Sequence, residues 1–509
     1  MRLRDVRDGA MLVEYPELSD ERANLRAREL AARLRGRMRS GFRDAIPAAR
    51  TLLVLFDPGL LARGRLAAEI GRSGSADPGP EASRRSIRIP VVYGAEDLAE
   101  LSRDRGFSET EFARRHAAAS YRVAFIGFAP GFPYLTGLPS ELSARRLSSP
   151  RARVPGGSVA IGGSYTGIYP AEMPGGWRLI GRTATVLFDE TADPPSLLSP
   201  GDEVRFEAVG AEHAPISRPR GVHTPAGRPV FRVREPGVFT SIQGAPRFGL
   251  GSRGVPAGGA MDAASLVRAN GLVGNPAGAA ALEITRVGPE LEALEACRVA
   301  VSGSGCSIDR NGSPVESDTA FSLFRGERLR LGRTENGARA YLAVREGLQT
   351  CARASPTRRL AAGDEIRLAE RAASAVEASR PAGAAAAQDL RVLLGPQREH
   401  FSDAAAKLFL SKAWRVSPES DRRGLRLEGE PLEHVRAPEI APEGTVFGSI
   451  QVPASGLPIV LGADGPVTGG YPKIATVIEA DLYRLGQAEP GTSLRFRAVT
   501  LAEALEARS

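Results

Sequence analysis

Short apolar runs separated by glycine- and proline-rich turns dominate the chain, and helical periodicity is confined to a few segments. TLLVLFDP (51–58) is a continuous apolar run ended by Asp-Pro-Gly and predicts a strand. LVEYP (12–16) and IRIPVVYG (87–94) predict two more, with a loop expected over 72–83. In ERANLRARELAARLRGRM (21–38), Leu25, Leu30 and Leu34 fall near helical spacing, with Asp20 as the expected cap. SETEFARRHAAAS (108–120) predicts a helix opening on a capping box of Ser108 and Glu111. Asp262 is expected to cap a helix in 261–275 that Gly271 or Gly274 ends, and 402–414 predicts another. Elsewhere a glycine turn entering a basic strand recurs four times, as PGDEVRF, GERLRL, GDEIRL and PGTSLRF. Such spacing favours barrels or sandwiches over a doubly wound sheet.

One phrase returns. VPGGSVAIGGSYTGIYPAEMPGGWRLIGRT (154–183) and IQVPASGLPIVLGADGPVTGGYPKIATV (450–477) each carry a Val-Pro, small and β-branched residues, then Gly-Gly and an aromatic. Aligned on Val-Pro, they suggest a duplicated module. Composition shifts divide the chain into an α/β unit (1–90), a β-rich unit (91–209), a linker (210–230), β-units at 231–369 and 390–509, and a second linker (370–389). The expected class is mainly β with a small N-terminal α/β domain.

Composition excludes more than it assigns. No run of 18 apolar residues is present, and the N-terminus lacks the apolar core of a signal peptide. Three scattered cysteines without a CxxC pair fit a reducing cytoplasm and no metal site. The net charge of +8 is spread among acids rather than gathered in a stripe, which argues against nucleic acid. Only Lys407, Lys412 and Lys473 are lysines, and Lys473 lies inside the repeated phrase. Walker, dinucleotide-binding, HExxH and GxSxG motifs are absent.

Glycine-rich loops that hold an anion on backbone N–H groups remain as candidate chemistry. Gly156, Gly157, Gly175 and Gly176 with Arg151, Arg153, Arg182, Thr166 and Tyr169 form one such set. His116, near the end of its helix, is a candidate base or donor. In the second phrase Gln451, Gly469, Gly470 and Tyr471 accompany Asp464 and Lys473, a carboxylate and an ammonium suited to proton transfer. Lys473→Ala is accordingly expected to abolish activity with little change in melting temperature. Phe128, Phe132 and Tyr134 are expected in a core or lining a pocket.

GFAPGFPYLTGLP, VPGGSVAIGGSYTGIYP and PGGWRLIGRT resemble the B subunit of bacterial 5-oxoprolinase, also known as the kinase A inhibitor protein or allophanate hydrolase subunit 1. From about Phe231 onward, GVPAGGAMDAASLVRANGLVGNPAGAAALEI, SDRRGLRLEG, IQVPASGLPIVL and TGGYPKIATVI resemble the C subunit, the biotin-dependent carboxyltransferase-like family. The resemblance covers almost the whole chain and implies a fused B–C member of the 5-oxoprolinase/urea amidolyase family. It implies cyclophilin-like β-barrels, one in the B half and two in the C half. It also implies ATP-dependent opening of 5-oxoproline to glutamate with a separate LamB/YcsF-type A subunit. An unstrained lactam is a poor electrophile, which is why ATP is needed, bound here or by the partner. Carboxyl transfer from a biotin carried elsewhere, since this chain has no biotinyl-lysine sequence, and regulation of a histidine kinase are the alternatives. A homo-oligomer stays open.

The chain departs from the family where Gln243-Gly244-Ala245-Pro246-Arg247 replaces Gln-Asp-x-Gly-Arg. A Gly-Ser-Arg-Ser-Thr segment is missing after 340–344, Pro466-Val467 stands for Gln-Thr, and Tyr165 for a glutamine.

Overall fold

The structure is a computed structural model that describes residues 1–75, 85–210, 227–350, 357–370 and 389–508. Most of both expected linkers, and much of the loop expected over 72–83, lie outside the described residues. Residues 72–75 finish a helix, Arg63–Ser75.

The N-terminal unit is a four-stranded antiparallel sheet in the order Arg2–Arg7, Ala10–Glu14, Thr51–Phe56, Phe42–Pro47. Met11, Val13, Leu52 and Val54 meet Leu30 and Leu34 of the helix Asp20–Arg37, and Leu66 and Ile70 of Arg63–Ser75. On the opposite face Ala10, Leu12, Leu53 and Leu55 pack with Val446 and Val467. Burial on both sides explains why Thr51–Phe56 reads as an unbroken apolar run. Ser19, not Asp20, is the N-cap. Asp20 is the first helical residue, and its carboxylate pairs with Arg50.

The next unit is a closed seven-stranded barrel, with Glu203–Ala208 parallel to Ser86–Tyr93 and the other pairings antiparallel. The helix Glu109–Ala118 packs across Glu203–Ala208. Ser108 accepts the Glu111 N–H at 3.1 Å, but the Glu111 carboxylate turns to Arg114 and Arg115, so only half of the expected capping box forms. Residues 227–370 contain two antiparallel sheets of six and five strands. Their helix Ala263–Val273 is capped by Asp262, which accepts the Ser265 N–H at 3.0 Å, and stops at Gly274, where φ is 77°.

The C-terminal unit is an eight-stranded sheet that follows the strand order of the first barrel, with Ser493–Leu494 and Phe496–Ala498 at its two ends in place of the single strand Glu203–Ala208. Leu390–Leu394 pairs parallel with Phe496–Ala498, as Ser86–Tyr93 does with Glu203–Ala208. Each first strand is followed by a helix, Glu109–Ala118 or Asp403–Ser411. Each barrel also carries a two-stranded ribbon outside its wall: Arg151–Val154 with Met173–Gly175, and Glu443–Gly444 with Thr468–Gly469. The register expected from Val-Pro is corrected. Val154-Pro155 precedes the wall strand Ser158–Gly162, whereas Val452-Pro453 follows its counterpart Ser449–Gln451. The true correspondence runs through Gly-Gly-aromatic, since Gly175–Trp177 and Gly469–Tyr471 both lead from ribbon to wall.

Candidate active site

Ser449–Gln451 and Lys473–Val477 are adjacent wall strands, with Gln451 opposite Lys473 and Ser449 opposite Thr476. Ile450 and Ala475 point into the barrel core. Alternation turns Gln451 and Thr476 outward, and the register shift between Ile450 and Gln451 breaks the alternation of the second strand and sets Lys473 opposite Gln451. Lys473 is fully buried there, and its ammonium meets the Glu443 carboxylate on the ribbon strand. Glu443 Oε1 also accepts the Gln397 amide at 2.6 Å, while Gln397 Oε1 accepts the Lys473 N–H at 3.1 Å. Gln451 lies against Gly469, where a Cβ would stand 2.3 Å from Gln451 Nε2. The Gly470 carbonyl accepts the Ile440 N–H at 2.9 Å, and Tyr471 beside it is half-buried. Glu443 and Gln397 belong to no motif quoted from the sequence, and only the ribbon and the strand Leu390–Leu394 bring them to Lys473.

The expected Asp464–Lys473 proton-transfer pair does not form. Asp464 binds Arg422 through two contacts, at 2.7 and 3.1 Å, and Arg422 reaches on to Glu283 in the neighbouring β-unit. Glu283 is fully buried and accepts Met261 N–H at 2.9 Å and Tyr341 O–H at 2.7 Å. Burial alone would raise the Glu283 carboxyl, but Arg422 and Arg339 outweigh it and hold it below the ordinary value. Asp464 therefore serves a junction between units. Arg422 sits in the SDRRGL segment, which was the available signal.

His116, expected as a base or donor, lies apart from the Lys473 compartment, in the first barrel. Its ring is fully buried, with Nδ1 2.7 Å from the Tyr93 hydroxyl, Nε2 3.0 Å from Thr166 Oγ1, and Phe206 stacked at 4.8 Å. Burial lowers its pKa to about 3, so it is neutral in neutral solution. Thr166 is spent on this contact and on the Ala160 carbonyl at 3.1 Å.

The first barrel's anion set is likewise dispersed. Arg151 pairs with Asp97 at 2.8 Å and Glu96 at 3.3 Å, Arg153 with Glu172 at 3.5 Å, and Arg182 is exposed on the wall strand. The Gly157 N–H is given to the Tyr169 carbonyl at 2.7 Å, and Gly156 backs onto Ala171. Gly176 accepts the Leu147 N–H at 2.8 Å. A Cβ on Gly175 would stand 2.2 Å from the Tyr169 hydroxyl. Phe132, Tyr134, Tyr169 and Trp177 fill the space that corresponds to the Lys473 compartment, and Phe128 packs against them. Arg151, Arg153 and the Gly157 N–H are thus engaged within the chain, while Arg182 lies apart from them on the exposed wall.

The first barrel and the N-terminal unit both meet the C-terminal unit at the second ribbon. Thr468 Oγ1 accepts the Phe128 N–H at 3.1 Å, and the Ala49 N–H donates to Pro442 O at 3.0 Å.

Comparison with known proteins follows this division. Residues 1–198 match the model for carboxyltransferase domain, subdomain C and D, and residues 253–498 that for carboxyltransferase domain, subdomain A and B. The chain is 34% identical over 292 residues to the C subunit of 5-oxoprolinase from Escherichia coli (strain K12), covering 55% of this chain and 94% of that protein. It is 36% identical over 223 residues to the B subunit of 5-oxoprolinase from Bacillus subtilis (strain 168), covering 41% and 92%. The crystal structure of TTHA0988 superposes with a TM-score of 0.84 at 36% identity, covering 97% of this chain and 100% of that one. The fold and the site thus define a protein built of carboxyltransferase domains. The chain belongs to the 5-oxoprolinase/urea amidolyase family, with its B-like and C-like regions fused in that order.

Proposed function

We propose that this chain is the fused B–C component of an ATP-dependent 5-oxoprolinase, a cytoplasmic cyclic-amide hydrolase that opens 5-oxoproline to glutamate with a LamB/YcsF-type A subunit. What carries the proposal is the roof of the Lys473 compartment. Its ribbon strands, Glu443–Gly444 and Thr468–Gly469, are gripped from above by Phe128 and Ala49 of the B-like half. A compartment made by the C-like half and closed by the B-like half gives a physical reason for the two regions to act as one unit. Lys473 and Gln451 are the substrate-side residues. Asp464, through Arg422 and Glu283, fixes the β-unit beside them. ATP is assigned to the A subunit, since Arg151, Arg153 and the Gly157 N–H around the VPGG turn are engaged within this chain.

ATP-dependent release of glutamate from 5-oxoproline by the full chain, with and without its cognate A-type subunit, tests this directly. Turnover is expected only when both proteins and ATP are present. The carboxyltransferase descriptions of both matching models favour a second reading, carboxyl transfer to urea or a related amide from a biotin on another protein. Carboxylation of urea with no turnover of 5-oxoproline would put that reading first.

A further inference from the structure

The Lys473 compartment leaves hydrogen-bonding groups without partners. An ammonium has three N–H groups, and that of Lys473, fully buried, meets a single acceptor, Glu443 Oε1. The same oxygen already takes the Gln397 amide. Gln451, on the same face of the wall, is only 4% exposed, and its Nε2 is buried without a partner. Two rungs along the wall, Thr476 Oγ1 is also buried and unpartnered. Leaving one such group unpaired costs about 1–3 kcal/mol, and here two stand on the same wall as the Lys473 ammonium. The corresponding compartment of the first barrel is instead closed by Phe132, Tyr134, Tyr169 and Trp177, none of which holds a buried unpaired polar atom.

Charge sets the class of ligand. Lys473 and Glu443 cancel, and Gln397 and Gln451 are neutral, so the compartment offers donors without net charge. That suits a neutral oxygen acceptor. A carboxylate or phosphate would be desolvated there with no surplus cation to offset it. Gly469 lets the Gln451 amide lie directly against the ribbon, since any Cβ there would displace it. Gly469 and Gly470 are half-buried, which leaves the ribbon edge as the way in.

We propose that Gln451 Nε2 and the Lys473 ammonium together bind the carbonyl oxygen of a small amide or lactam, entering over Gly469. This rests on the cyclic-amide proposal above and names the group of the substrate that the compartment holds.

Calorimetric titration of the full chain with 5-oxoproline, 2-pyrrolidinone and proline separates the possible contacts. Pyrrolidinone keeps the lactam carbonyl and lacks the carboxylate; proline is the reverse. The first two are expected to bind and proline not to. Gln451→Leu weakens both by about tenfold, the worth of one buried hydrogen bond, with the melting temperature held. Gly469→Ala does the same by pushing the amide aside. Lys473 and its ion pair stay intact in both variants. Proline binding as tightly as 5-oxoproline, unchanged affinity in Gln451→Leu, or no binding by the wild-type chain overturns the proposal. Kinetics with the A-type subunit keep the two ideas apart. Turnover of 5-oxoproline with a wild-type KM in Gln451→Leu sinks the carbonyl site and spares the function. Gln451-dependent binding of pyrrolidinone without any turnover of 5-oxoproline does the opposite.

Discussion

Lys473 shows how burial changes the meaning of a substitution. From sequence alone Lys473→Ala is a clean probe of chemistry. In the structure the ammonium is the counter-charge of Glu443 in a closed space, and its removal leaves an uncompensated carboxylate. Lys473→Met is therefore expected to cost about 3 kcal/mol of stability, within the range for breaking a buried pair from one side. Adding Glu443→Gln removes the stranded charge and recovers most of that loss without restoring turnover. Chemical denaturation of wild type, both single variants and the double variant measures the coupling. A second residue-scale prediction concerns His116. Its pKa falls from 6.5 to about 3 on folding, so between those values the unfolded chain binds a proton that the native one refuses. Stability from this group is full above pH 6.5 and falls by about 1.4 kcal/mol per unit as pH drops toward 3. His116→Gln, less stable at pH 7, is expected to show a shallower acid slope in melts across pH 4–7; an identical slope would show that the ring already titrates in the fold.

At the scale of elements, the sequence spoke clearly where local rules decide. The Asp262 cap, the Gly274 stop and the glycine turn before each basic strand are short-range features, and each formed where its residues stand. Ser19 displaced Asp20 as a cap because both residue types serve and neighbouring contacts decide between them. The register of the repeated phrase was misread for a different reason. Val-Pro marks any strand end, whereas Gly-Gly-aromatic marks the passage from ribbon to wall, where a Cβ would strike Tyr169 or Gln451. Glu443 and Gln397 were invisible because they reach Lys473 from 30 and 76 residues away through strand pairing alone. The ribbon gives its own test. A Cβ on Gly127 would stand 1.9 Å from Thr468 Oγ1, so Gly127→Ala is expected to be strongly destabilising in wild type. Thr468→Ala alone loses one hydrogen bond, about 1 kcal/mol. In combination the two should cost well under their sum, as measured by urea denaturation. Strict additivity would mean that the loop and ribbon do not touch in solution.

Across the whole molecule, apolar packing and a charge cluster join the two halves. Val6, Ile46, Leu53 and Leu55 of the first sheet bury against Val446 and Val467 of the last barrel. Beside them Glu479 collects Arg43 at 3.2 Å, Arg7 at 3.6 Å and Arg508 from the C-terminal end, while its backbone N–H donates to Asp8 at 3.0 Å. Burial would raise the Glu479 carboxyl, but Arg7, Arg43 and Arg508 outweigh it and bring the pKa to about 2. The folded value lies below the unfolded one, so this group stabilises the chain above about pH 4.5 and ceases to as pH falls toward 2. Glu479→Gln removes the common partner of three arginines that then repel one another. The expected loss is about 3 kcal/mol between pH 5 and 8, shrinking below pH 4 as the wild-type carboxylate itself protonates. Because Arg7 and Arg43 belong to the first sheet and Glu479 to the last barrel, the loss should appear as faster hydrogen exchange in Ala10–Glu14 and Thr51–Phe56, with the middle sheets unchanged. Exchange that rises equally in all units would instead place the effect inside the last barrel and show that the Glu479 cluster does not hold the halves together.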